Sequence, residues 1–205
     1  MNIQKLTEAE AAFLSRYPRG FADPGLAHVR KSHNVERLAD YTRANVTDQT
    51  LSRPNAFADV LLTIVARSSL VSRFEKPPFK AFIESLGLDR RRRLADAFRK
   101  RLFGRRRREG FEEVVEILAR GKLGRWSLVS AVPFYFAPRK EVFVKPSTAK
   151  RIVAFLELEK LRYDSSPTWA FYRAYRDLVL EINAQVDPSL TPNNAATTGF
   201  LMATM

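Results

Sequence analysis

The sequence predicts a mainly α-helical protein, a compact array of about seven or eight helices at ordinary helix lengths. Three observations carry this expectation. Apolar residues recur near the 3.6-residue period over most of the chain. Glycines and prolines fall mainly between those runs rather than inside them. The 205 residues are 45% hydrophobic and 11% aromatic, enough for a packed core. An irregular aromatic and Pro-rich segment at 122–146 interrupts the pattern. The expectation is one helical domain over 1–205, with 1–121 and 122–205 as possible subdomains.

Each element has a local reason. Thr7 and Glu10 form a capping box ahead of EAAFLSRY, and Pro18 follows that helix. Pro24-Gly25 punctuates a loop. A second helix covers His28 to Ala44, with Val35, Leu38 and Tyr41 or Thr42 on one face; alternatively, Asn34 caps a shorter helix. Residues 45–54 are polar and turn-like. Asn55 caps a helix carrying Phe57, Val60, Leu61, Ile64 and Val65 at helical spacing. Pro77-Pro78 opens a short helix that Gly87 closes. Asp89 is an N-cap for RRRRLADAFRKRLF, which Gly104 ends, and Gly110 precedes FEEVVEILAR, which Gly121 ends. In GRWSLVSAVPFYFAPRKEVFVKP, Pro133 should disrupt a helix interior. A helix or turn at 126–132 followed by irregular chain is expected there, with FYF and EVFV as short strands or aromatic anchors. Ser147 caps STAKRIVAFLELEKL, and Ser166-Pro167 opens a long helix to about Val186. The tail, DPSLTPNNAATTGFLMATM, either docks back on the domain or frays.

Composition narrows the function classes. There is no cysteine, which excludes disulfides, zinc-thiolate sites and thiol nucleophiles. The first residues, MNIQKLTEAEAAFLSRYP, lack the apolar stretch of a signal peptide. No apolar run approaches the roughly 18 residues of a membrane span. A soluble, cytoplasmic protein is expected. The net charge of +13 points to polyanionic partners. The charge is concentrated: residues 88–125 hold 14 basic and 6 acidic groups, 14 − 6 = +8, so most of the excess lies in one patch.

That patch contains two blocks of four arginines about one helix apart. On the helix 89–103, Leu94, Ala95, Phe98 and Leu102 share the buried arc. Arg92, Arg93, Arg99 and Lys100 occupy the remaining surface, with Arg90 and Arg101 at its margin. Arg91 falls within the apolar arc and must snorkel or precede the first buried turn. Cations in a first helical turn oppose the macrodipole, an arrangement that an anion at the site would make favourable. The second block, Arg105, Arg106, Arg107 and Arg108, extends the field. The expected partner is therefore nucleic acid, DNA or RNA, held through phosphate contacts from these side chains. Trp126 is placed beside them as a base-stacking platform, although core anchoring is the commoner use of such aromatics. Glu109, Glu112, Glu113 and Glu116 follow directly and could neutralise part of the field. The alternatives are a helical adaptor that docks an acidic protein, or an enzyme with an unrecognised site.

Motifs for catalysis are sparse. His28 and His33 are five residues apart, off the spacing that puts two ligands on one helix face. Glu112 and Glu116 share a face, but no third metal ligand is indicated. Glu141 and Lys145 lack the spacing and the upstream acid of a nuclease motif. No Gly-rich phosphate loop is present. No cofactor and no metal is expected.

PFYFAPRKEVFVKPSTAKR, then LRYDSSPTWAFY, then Phe200 form an ordered set. Pro133, Phe134, Pro138, Phe143, Lys145, Pro146, Tyr163, Asp164, Pro167, Trp169, Tyr172 and Phe200 carry it. Across this C-terminal third the chain resembles a family of uncharacterised bacterial proteins. The ending TTGFLMATM lacks the acidic, Trp-containing close of that family. The resemblance implies no activity. Lys145, ahead of Pro146, stands at a helix start, where capping a carbonyl is the preferred role and contact with an anion the alternative.

Overall fold

Twelve α-helices and three 3₁₀ turns, without any strand, make up the computed structural model, which describes all 205 residues. The helices are α1 (Ile3–Arg16), α2 (Ala27–His33), α3 (Val35–Asn45), α4 (Asp48–Leu51), α5 (Pro54–Arg67), α6 (Lys76–Ser85), α7 (Leu88–Leu102), α8 (Arg107–Ala119), α9 (Trp126–Phe136), α10 (Pro146–Phe155), α11 (Trp169–Gln185) and α12 (Asn194–Thr204). The all-α expectation holds. The helix count is higher because the expected 28–44 helix divides, the polar 45–54 segment forms the short α4, and the tail folds. No helix is long and apolar enough to cross a membrane.

Several boundaries differ from the expected ones, each for a local reason. Asn2 caps α1 by accepting from the Lys5 amide, so Thr7 lies inside the helix and donates to the Ile3 carbonyl. Asn34 adopts a left-handed conformation (φ 31°) and caps α3, which is the alternative expectation for this segment, and the 28–44 run divides into α2 and α3. Gly87 occupies the N-cap of α7. Asp89 therefore falls in the first turn and its carboxylate accepts from Arg92 instead of capping. Thr168, not Ser166, caps α11 by accepting from the Phe171 amide.

The largest departure is α9. Pro133 sits inside this helix, yet the helix runs on to Phe136. Of the two expectations for FYF and EVFV, the strands do not form, and Phe134, Tyr135 and Phe143 are buried as anchors. An internal proline costs about 3 kcal/mol in a helix. Here every residue from Trp126 to Tyr135 is buried, so apolar burial on all sides outweighs that cost. Ser130 Oγ accepts from the Val144 amide at 2.9 Å, tying the following irregular segment to the helix. α3 and α5 pack on α9. One buried apolar cluster runs from Leu6 to Leu201 and draws on residues from both halves of the chain. The tail does not fray: α12 packs on α1, α10 and α11, with Phe200 and Leu201 fully buried.

α7 and α8 form an antiparallel hairpin. Lys100 pairs with Glu109 near the turn, and Arg93 lies beside Glu116 further along. Gly110 is what lets the two backbones close. A Cβ there would stand 2.5 Å from the Arg101 nitrogen and 2.6 Å from the Ala97 carbonyl oxygen.

Candidate nucleic-acid interface

The inner face of α7 is as expected, with Leu94, Ala95, Phe98 and Leu102 buried. Arg101 joins them and is 2% exposed, far from the margin the helical period gives it. Its Nη2 donates to Glu141 Oε2 at 2.7 Å and its Nη1 donates to Oε1 at 3.2 Å. Tyr172 Oη donates to the same carboxylate at 2.7 Å. The guanidinium lies 5.4 Å and 5.0 Å from the Trp169 and Tyr172 ring centroids. Burial alone pushes the Glu141 carboxyl up. The hydrogen bond and charge of Arg101, with Tyr172 and Arg176, outweigh burial and hold it below the usual carboxylate range. Burial and the Glu141 charge push the Tyr172 phenol up, so it remains a donor. This buried cluster fixes the outer face of α7 in space.

On that outer face the cations divide into two kinds. Arg99 is held by Asp96 at 2.9 Å and by Asp48 at 3.4 Å. Lys100 is a quarter exposed and bridges Glu109 and Glu113. Those two hydrogen bonds hold its ammonium above the ordinary lysine range and pull Glu109 down. Arg99, paired within α7 and to α4, and Lys100, paired across the hairpin, therefore do not form an open cationic face. The stretch of the hairpin just before the turn is neutralised.

The two ends are different. Arg92 and Arg93 reach Asp89 and Glu116 only through exposed pairs at 3.2 Å and 3.9 Å. Arg90 has no carboxylate within pairing distance. Because α8 runs antiparallel, Arg120, which caps its C-terminus, comes to the same end. Arg90, Arg93 and Arg120 surround a shallow dent floored by Phe82, Leu86 and Ile117. At the turn, Arg106 pairs with Glu109 and Arg108 with Glu112, both exposed. Arg105 and Arg107 are exposed without an acidic partner. The 15 residues of α7 separate the two cationic ends by roughly 22 Å. Arg91, which the helical period sends inward, bonds Asn55 Oδ1 and the Glu84 carbonyl along the surface.

Trp126 does not join this face. It is 1% exposed, its indole N–H donates to the Asp164 carbonyl at 2.8 Å, and its ring packs on Phe111 and Phe171. It cannot stack on a base. The apolar surroundings of α9, legible as a continuous apolar run, account for its burial.

The acids offered as catalytic candidates are also placed. Glu112 and Glu116 are exposed and paired with Arg108 and Arg120. Glu141 is buried under Arg101, while Lys145 lies exposed at the start of α10. Arg120 is the contributor that sequence reasoning missed, since only the antiparallel return of α8 puts it beside Arg90. Comparison with protein-family models, with curated proteins and with solved structures gave no match.

Proposed function

We propose that the protein binds nucleic acid non-enzymatically through the two cationic ends of the α7–α8 hairpin. Phosphates meet Arg90, Arg92, Arg93 and Arg120 at one end and Arg105 to Arg108 at the other. The observation that carries this reading is the unpaired state of Arg90, Arg105 and Arg107 on a hairpin whose other cations largely have acidic partners. Exposed pairs such as Arg108–Glu112 contribute little and exchange readily for a phosphate partner. A separation of roughly 22 Å spans several phosphates along one strand of a duplex. Sequence selectivity is not part of the proposal, because the reading rests on phosphate contact alone.

The test is fluorescence anisotropy with labelled duplex DNA and duplex RNA, titrated across salt. Binding is expected to weaken linearly on a log–log plot, by about 0.9 per neutralised phosphate. Replacing Arg90, Arg105 and Arg107 together by Gln should flatten the slope and weaken binding. No binding at any salt, or binding that ignores this triple change, would overturn the proposal.

A further inference from the structure

A second surface of different chemistry lies away from the hairpin. A groove of about 1210 Å³ is bounded by α12 and the end of α1 on one side and by α2 with the start of α3 on the other. α2 has no buried residue and packs mainly on the 3₁₀ turn before it. Arg30 holds it there by donating to the Phe21 and Asp23 carbonyls. The groove therefore has one wall built into the core and one that stands off from it. Phe21, Val29, Val35, Leu70 and Met202 line it and remain only half-buried. On α12, Ala195, Gly199 and Ala203 recur every fourth residue along the lining, leaving a shallow track with no large side chain.

The charge around the groove is one-sided. Arg16, Arg30 and Lys145 line it against a single carboxylate, Glu36. Arg16 and Lys145 are exposed and have no acidic partner. The groove is partly open to solvent, so a lipid chain in it would leave methylenes in water, whereas a helix would keep its polar face outward.

We propose that this groove docks an amphipathic, acidic helix of a partner protein. The helix lays apolar residues at i, i+3 or i+4, and i+7 along Phe21, Val29, Leu70 and Met202. Its backbone passes close over the Ala195–Gly199–Ala203 track, and its flanking Glu or Asp side chains face Arg16 and Lys145. Lys145 thus contacts an anion, one of the two roles open to it in the sequence.

The experiment uses the full chain as bait for a phage-displayed library of 16-residue helix-favouring peptides, followed by anisotropy with the enriched peptides. Two variants probe the groove. A Cβ at Gly199 meets nothing closer than a Phe21 ring carbon at 3.7 Å, so Gly199→Leu is chosen to fill the track, with an unchanged circular dichroism spectrum and thermal midpoint as the check that the fold is kept. Arg16→Glu with Lys145→Glu reverses the rim. The enriched peptides are expected to be amphipathic and net acidic, and to lose at least about tenfold in affinity, roughly 1.4 kcal/mol, against either variant. They should bind undiminished to the Arg90, Arg105 and Arg107 to Gln variant, which separates this surface from the hairpin. No enrichment, net basic peptides, or equal binding by Gly199→Leu would overturn the proposal. A fluorescent long-chain fatty acid that binds the wild type but not Gly199→Leu, with no peptide enriched, would overturn it in favour of an acyl anion.

Discussion

Arg101 and Glu141 meet inside the protein at 2.7 Å, and Tyr172 from α11 closes the same carboxylate from another direction. Three separate parts of the chain are held by one buried charge pair. Breaking such a pair costs about 3–5 kcal/mol, because the survivor is left charged and unpaired. Arg101→Met and Glu141→Leu are each expected to lower stability by about that amount, read as a fall in urea midpoint at unchanged slope. The double variant should recover most of the loss, since two apolar side chains replace a pair whose desolvation was costly. A single-variant loss below about 1 kcal/mol would show that the pair is not what holds these elements together.

The same carboxylate sets a pH dependence. Glu141 titrates below the ordinary carboxylate range in the folded protein. A group depressed by folding stabilises fully above its unfolded value, about 4.3 for Glu, and that stabilisation is lost as pH falls through the folded value. Glu109, Glu157 and Asp187 are depressed as well and act in the same direction. The urea midpoint should therefore decline as pH is lowered from about 5. Glu141→Gln should be less stable at neutral pH and show a shallower decline. A parallel decline in wild type and variant would remove Glu141 from this account.

Gly110 sets how closely α7 and α8 approach. Its hydrogen faces the Ala97 carbonyl and the Arg101 backbone, where a methyl would clash with main-chain atoms that cannot rotate away. Gly110→Ala should destabilise by about 1–3 kcal/mol or more, against the usual gain for Gly→Ala within a helix. Thermal unfolding followed by circular dichroism reads the sign directly. A raised midpoint would mean that the hairpin relaxes without cost.

Trp126 offers a test that separates core from surface. Trp126→Phe removes the indole donor to the Asp164 carbonyl and leaves a gap between Phe111 and Phe171. Stability should fall by about 1–3 kcal/mol while polyanion affinity, measured well below the unfolding temperature, stays unchanged. A selective loss of affinity at unchanged stability would return Trp126 to the binding face.

Much of the fold is legible because its helices are amphipathic and punctuated. Leu94, Ala95, Phe98 and Leu102 mark the inner face of α7 by spacing alone. Arg101 is not legible, because its position on the wheel is marginal and its partner lies 40 residues away. Arg99 and Lys100 share the outer face with Arg92 and Arg93 in the sequence. They differ only because Asp48, Glu109 and Glu113 fold against them. α9 is misread for the opposite reason: the local rule about Pro133 is sound, but burial on every side overrides it. The groove has no sequence signal, because it forms only where α12, at the end of the chain, meets α1 to α3 near its start.

The buried guanidinium of Arg101 has one more effect. The helix that carries the outer cations is already locked at its inner face to Glu141 and Tyr172, and closed against α8 at Gly110. Under the proposed binding, an anion at Arg90 or Arg107 would meet a rigid scaffold, and only the exposed side chains would need to be ordered. The entropy lost on such association would be confined to a few rotamers, about 0.5–1.5 kcal/mol each. The core charge pair would then favour the proposed binding from a distance, by preorganisation, without touching the ligand.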